Sequence, residues 1–123
     1  MAIMAEAAKL AVEDTRASGV AAQIDAVVVV NILSWTYEDP AGQLAGRVGA
    51  TPRERIYTAI GGNTPQWMVN EIADRLSRGE IGCALLAGAE AMYTRRLGRQ
   101  LGVKPPWSPM GDPGPLYGDT RWG

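Results

Sequence analysis

Gly61, Gly62, Asn63 and Thr64 are the residues of this sequence best suited to chemistry. They follow a β-favouring run (Ile56, Tyr57, Thr58, Ile60) and precede apolar residues at helical spacing: Met68, Val69, Ile72 and Leu76. A chain turning sharply from strand to helix presents unpaired N–H groups and the positive end of the helix dipole. Such a turn can hold a carbonyl oxygen or a phosphate; the alternative is a tight structural turn with no ligand. These four residues form the candidate substrate-binding set, and no catalytic residue and no metal ligand is assigned.

The rest of the chain offers little reactive chemistry. There is no histidine, so the commonest general base and the commonest zinc ligand are both missing. The only cysteine, Cys83, sits among Ile81, Ala84, Leu85 and Leu86, a run that predicts a strand covered on both faces and an inert thiol. Neither G-x-G-x-x-G after a strand nor G-x-x-x-x-G-K-[ST] is present, and no pair of carboxylates stands at an informative spacing.

The elements that position the glycine turn alternate regularly. An alanine-rich helix is predicted over residues 1–18, with Ile3, Met4, Ala7, Ala8 and Ala11 facing inward and Gly19 ending it. Residues 24–30, Ile-Asp-Ala-Val-Val-Val-Val, read as a buried strand. Trp35 and Tyr37 follow in a connection where they line a cleft or pack over a loop. Pro40 opens a short helix through Val48, stopped by Gly49. The strand over residues 55–60 leads through the glycine turn to a helix that Asn63 or Thr64 caps, with Pro65 in its first turn and Gly79 as its stop. The apolar strand 83–87 follows, then a helix from Tyr93 to Leu101 carrying Arg95, Arg96 and Arg99. From Val103 proline and glycine prevail, predicting an irregular loop or tail. The domain organisation is thus an α/β unit over residues 1–102 and an irregular segment over 103–123.

The stretch from residue 55 to 92 resembles the thiolase superfamily, in particular the thiolase-like acetyl-CoA acetyltransferases close to the sterol-carrier-protein-x type. The resemblance is carried by the strand, the glycine turn, the helix ending at Gly79, and the G-x-E-x-M motif Gly88-Ala89-Glu90-Ala91-Met92. It implies an α/β fold: a partial thiolase-like sandwich with a mostly parallel sheet, lacking the first strand and the second half-domain. In the family the first strand lies mid-sheet, so a gap is expected between the strands at 24–30 and 83–87. Counting back from Glu90 without gaps sets the family's nucleophilic cysteine at Gly62, which leaves the turn without a nucleophile. The resemblance also implies that Glu90 holds backbone near its strand end.

The implied function is the amino-terminal portion of an acyltransferase with acyl-CoA as substrate, no cofactor, and no catalysis on its own. The alternative is a non-catalytic oligomerisation or assembly module. The implied partners are the missing remainder of a thiolase-like protein and a second copy of the chain. The resemblance puts that homodimer or higher oligomer at the strand over residues 55–60, Arg55, Tyr57 and Ile60 among them. Composition excludes other partners. A net charge of −1 gives no general attraction to nucleic acid or to an anionic membrane surface, and the arginines at 95, 96 and 99 read as a solvated helix face. No apolar segment reaches the length of a membrane helix, no signal-peptide pattern opens the chain, and one lone cysteine suits a reducing compartment, so a cytoplasmic location is expected.

Overall fold

Strand β1 (Ala26–Val29) is the centre of the molecule. Every residue in it is buried, as a β-branched run between two covering layers should be. In the computed structural model, which describes residues 1–118, β1 pairs in parallel with both β2 (Glu54–Tyr57) and β3 (Ala84–Ala87). The sheet order is β2-β1-β3, and Val28 stands opposite Ile56 on one side and Leu86 on the other. The protein is therefore of the α/β class, with a small open parallel sheet.

Among the described residues five helices surround this sheet: α1 (Ala2–Asp14), α2 (Val20–Gln23), α3 (Pro40–Val48), α4 (Thr64–Ser77) and α5 (Met92–Leu101). Val27 and Val29 pack with Met4, Ala8, Leu44 and Ala45 of α1 and α3 on one face. Val28 packs with Ile56, Met68, Ile72 and Ile81 on the other, beneath α4. The connection from β1 to β2 thus crosses one face and the return from β2 to β3 crosses the other, as crossovers of a single hand require. Arg75 of α4 grips both carboxylate oxygens of Glu54 on β2 and also reaches Glu80, which holds the end of the helix against the sheet.

The terminators act largely as their residue types dictate. Asp39 caps α3 by accepting a hydrogen bond from the Gly42 N–H at 3.0 Å, and Pro40 fills the first turn. Gly49 and Gly79 both take left-handed angles, φ 75° and 71°. The first helix differs from expectation: it stops at Asp14, and Gly19, in a left-handed conformation, opens α2 instead of closing α1.

Three further expectations are corrected. No gap separates the strands at 24–30 and 83–87, because β1 and β3 pair directly and satisfy each other's amides and carbonyls. Strand β3 is half-buried along its length because it is an edge strand, and Cys83, just before it, is half-buried as well. Ile3, Ala7 and Ala11 on α1, and Val69 and Leu76 on α4, are exposed, while Ala5 joins Met4 and Ala8 in the core. A helix of period 3.6 buries only the arc that a neighbour covers, and each of these helices has an uncovered flank.

After α5 the chain has no regular structure up to residue 118 and lies along its own domain; residues 119–123 of the expected tail fall outside the described residues. Trp107 packs edge-on against Trp35 with ring centroids 5.0 Å apart, and the Trp35 indole donates to the Ser108 carbonyl. Tyr117 forms an isolated parallel bridge with Thr58, donating to the Tyr57 carbonyl and accepting from the Ala59 N–H, both at 2.8 Å. The carboxyl end of the outer β2 edge is thereby occupied.

The opposite burial of neighbouring residues on α4 is measurable. Met68→Ala, in a fully buried position, is expected to destabilise the protein by about 3 kcal/mol in urea unfolding, whereas Val69→Ala next to it should cost under about 1 kcal/mol. Equal losses would show that α4 is rotated from the orientation described.

Candidate functional site

In an open parallel sheet the loops at the carboxyl ends of the strands converge, and ligands bind there. Those ends are stitched together here by polar side chains. Thr58, fully buried, accepts from the Asn31 N–H through its hydroxyl at 3.0 Å, and its carbonyl accepts from the Asn31 amide at 2.9 Å. The Tyr57 hydroxyl accepts from the Ile32 N–H at 2.9 Å. Burial first, and the nearby Glu90 charge in addition, push the Tyr57 phenol above its ordinary range. These contacts join the chain leaving β1 to the end of β2.

Glu90 performs the same service between β1 and β3. Its carboxylate accepts from the backbone N–H groups of Leu33 at 2.8 Å, Ser34 at 3.0 Å and Ala91 at 2.9 Å. The Ser34 hydroxyl accepts in turn from the Ala91 N–H at 3.2 Å. Partial burial acts to raise the Glu90 carboxyl, but the hydrogen bonds from Ser34, Ala91 and Leu33 together outweigh it and hold the group below the usual carboxylate range. Its oxygens are taken up by backbone, so Glu90 is a structural anion.

The four residues of the glycine turn are brought together at the amino end of α4. Gly61 cannot be replaced cheaply: a Cβ there would fall 2.6 Å from the Thr64 hydroxyl oxygen. Gly62 is the opposite case, since a Cβ built on it meets nothing within 4 Å. Asn63 occupies the capping position without making a side-chain capping bond. The Thr64 N–H is spent on the Gly61 carbonyl at 3.1 Å, and the buried Thr64 side chain lies against Gly61 within the turn. With Ala59, Ile60 and Trp67 these residues line a hollow of about 490 Å³. Trp67 is held in place by stacking on Tyr117, with centroids 5.7 Å apart, and the Tyr117 hydroxyl donates to Glu71.

A second cavity, of about 240 Å³, lies beside the carboxyl ends of β1 and β3. Ile32, Ser34, Tyr37, Ala89, Glu90 and Trp107 contribute to its lining. Of its lining the sequence singled out only Tyr37, as a residue that lines a cleft or packs over a loop, since its walls come from four separate segments. Strand order alone could have indicated the place. Tyr37 is buried there, while Trp35 is engaged with Trp107 and, at 5.9 Å, with the Arg95 guanidinium. Trp35 therefore packs over its loop.

Cys83 is not part of either site. Its carbonyl accepts from Asp25 at the amino end of β1, so the thiol-bearing residue lies at the opposite end of the sheet from the glycine turn, about 13 Å away along the strand. Among the described residues no group of three or more metal-binding side chains converges. The hollow at the glycine turn thus offers backbone N–H groups, a helix dipole and aromatic surface, and neither a nucleophile nor a base.

Because the folded Glu90 carboxyl titrates below its unfolded value of about 4.3, the stability it contributes is complete above that pH and is lost as pH falls through the folded value. Glu90→Gln is expected to lower stability at pH 7 by about 1 kcal/mol, a figure reduced for solvent exposure, with the deficit shrinking as pH falls through the lowered folded value. A deficit independent of pH in chemical denaturation would show that the charge is not what holds the loop.

Compared with protein-family models, curated proteins and solved structures, the chain has no match in any of the three.

Proposed function

We propose that this chain is the amino-terminal portion of a thiolase-like acyltransferase, of the acetyl-CoA acetyltransferase kind, that meets acyl-CoA thioesters only as part of a larger site and turns nothing over alone. One observation carries this reading: position 62, where the resemblance sets the nucleophile, sits at the amino end of α4 beside a hollow of about 490 Å³, with open space where a side chain would be. The room for the reactive group is retained and the group is missing.

What remains can bind a carbonyl oxygen but not attack its carbon. Among the described residues the N–H groups of Gly62 and Asn63 have no hydrogen-bond partner, and the dipole of α4 favours negative charge at this end. Acyl transfer by this chemistry needs a thiolate to displace the CoA thiol and a base to generate the next nucleophile. The chain has no histidine, and its one thiol is at the far end of the sheet.

Wild-type protein is expected to give no loss of thioester with time when incubated with acetyl-CoA. Gly62→Cys should take up one acetyl group per chain, seen by intact mass, with release of one CoA thiol and no further turnover, because a thiol at a helix amino end ionises more readily than an ordinary one. Acylation of Gly62→Cys no faster than that of Cys83 in the wild type would remove the acyl-thioester reading. Multiple turnovers by the wild type would show that other residues perform the chemistry.

A further inference from the structure

The side of the molecule beyond β3 combines an open strand edge with exposed apolar residues on the flanking helices. β3 has no strand neighbour other than β1 among the described residues, so one of its edges is open. The Cys83 and Ala87 carbonyls face β1, accepting from Asp25 and Val30. Main-chain groups alternate along a strand, so those of Ala84, Leu86 and Gly88 face outward.

Both helix layers expose apolar stripes on this same side. On α4, Trp67, Glu71 and Arg75 lie toward β2, through contacts with Tyr117 and Glu54. Residues advance about 100° each around a helix, so the opposite flank, toward β3, carries Pro65, Val69, Ala73 and Leu76. Val69 is 49% exposed and Leu76 40%. On α1, the buried Ala5 lies toward α3, which covers β1 and β2. The flank away from α3 carries Ile3, 84% exposed, with Ala7 and Leu10, 57% exposed, and ends at the exposed Asp14. Ile3 also reaches the cavity beside Ala89 and Glu90, just past the end of β3. Four of these residues, Ile3, Ala7, Val69 and Leu76, have the helical spacing of core positions.

We propose that this face binds a second copy of the chain, with β3 pairing antiparallel to β3 about a two-fold axis at Leu86. A two-fold perpendicular to the sheet keeps each face on its own side, so it must pass through a residue pair of like orientation. Leu86 is the central outward-facing residue. Centring there pairs Leu86 with its copy and Ala84 with Gly88 of the other copy, about six main-chain hydrogen bonds in all. The same axis lays each α4 stripe against its copy on one face and each α1 stripe against its copy on the other.

The choice of occupant rests on charge and profile. The α4 flank carries no charge, its charged residues Glu71, Asp74, Arg75 and Arg78 lying elsewhere around the helix, so copy meets copy without like-charge repulsion in that layer. A strongly acidic or basic partner would find no counter-charge there. An occupant must offer an open strand edge between two apolar helix flanks, and a second copy presents that profile by symmetry. The end face is about 30 Å deep through its three layers and about 20 Å along α4, roughly 600 Å² per copy in projection, close to the ~800 Å² per partner of standard interfaces. The surface lies apart from the outer β2 edge, where Tyr117 is already bonded, and the inference does not depend on the acyl-thioester reading.

Sedimentation equilibrium on the full chain up to about 100 μM tests the assembly, with a monomer mass of 13.1 kDa as reference. A dimer is expected, and Val69→Glu combined with Leu76→Glu should raise its dissociation constant at least about tenfold while far-UV circular dichroism stays unchanged. Arg55→Glu, on the β2 edge, should leave it unaltered. In a Cys83→Ser background, Leu86→Cys should form an intermolecular disulfide on mild oxidation, since paired Cα atoms at a two-fold lie about 5.5 Å apart. A monomer at every concentration would overturn the proposal and leave the face to some other chain segment. A dimer broken by Arg55→Glu and indifferent to the α4 pair would overturn it in favour of the β2 edge. A dimer without the Leu86→Cys crosslink would overturn the register.

Discussion

Everything in this structure depends on the need to satisfy both hydrogen-bonding edges of β1 while burying both of its faces. A valine run with no exposed residue has no access to water for its amides and carbonyls, and an unpaired buried backbone group costs about 1–3 kcal/mol. Parallel pairing on both sides removes that cost. It also obliges the chain to cross over the sheet twice, which puts α3 on one face and α4 on the other. The two halves of the core, Val27 and Val29 above and Val28 below, follow directly from alternation along this strand.

The same pairing determines where polar groups can gather. Parallel strands release their chain at one end of the sheet, and the loops leaving them lack strand partners there. Asn31, Thr58, Tyr57 and Glu90 supply those partners from side chains. The resulting end is well connected but chemically quiet. Its carboxylate is consumed by backbone N–H groups, and its hydroxyls serve mainly as acceptors. The hollow at the start of α4 is the exception, because Gly62 leaves space and donors uncommitted.

Burial is strongly asymmetric across the sheet. On the β2 side Arg75 spans Glu54 and Glu80, and Tyr117 covers the carboxyl end of the strand edge and stacks on Trp67. On the β3 side the strand edge is open and the helix flanks are apolar and uncovered. Ion pairs and aromatic stacking are thus spent on one edge while leucine, isoleucine and valine are left on the other, and the proposed pairing of β3 with its copy rests on that asymmetry.

By itself the sequence determined the elements and the limits of the chemistry. The valine run, the Pro40 start, the glycine stops at 49 and 79, and the glycine turn are local signals, set by side-chain branching and by the backbone angles each residue tolerates, so they could be read without a fold. The lack of histidine likewise removes the commonest general base whatever the fold. Which strand became the neighbour of which was decided only in three dimensions, because pairing between residues 26 and 84 is a matter of satisfying distant backbone groups. Tertiary structure also decided which half of each apolar helix arc is buried, turning Ile3 and Val69 outward despite their periodicity, since periodicity shows how wide an apolar arc is but not what covers it. The cavity beside the ends of β1 and β3 was not legible as a whole for the same reason: its walls come from separate segments, and only the strand order brings Ser34, Tyr37 and Glu90 to one place.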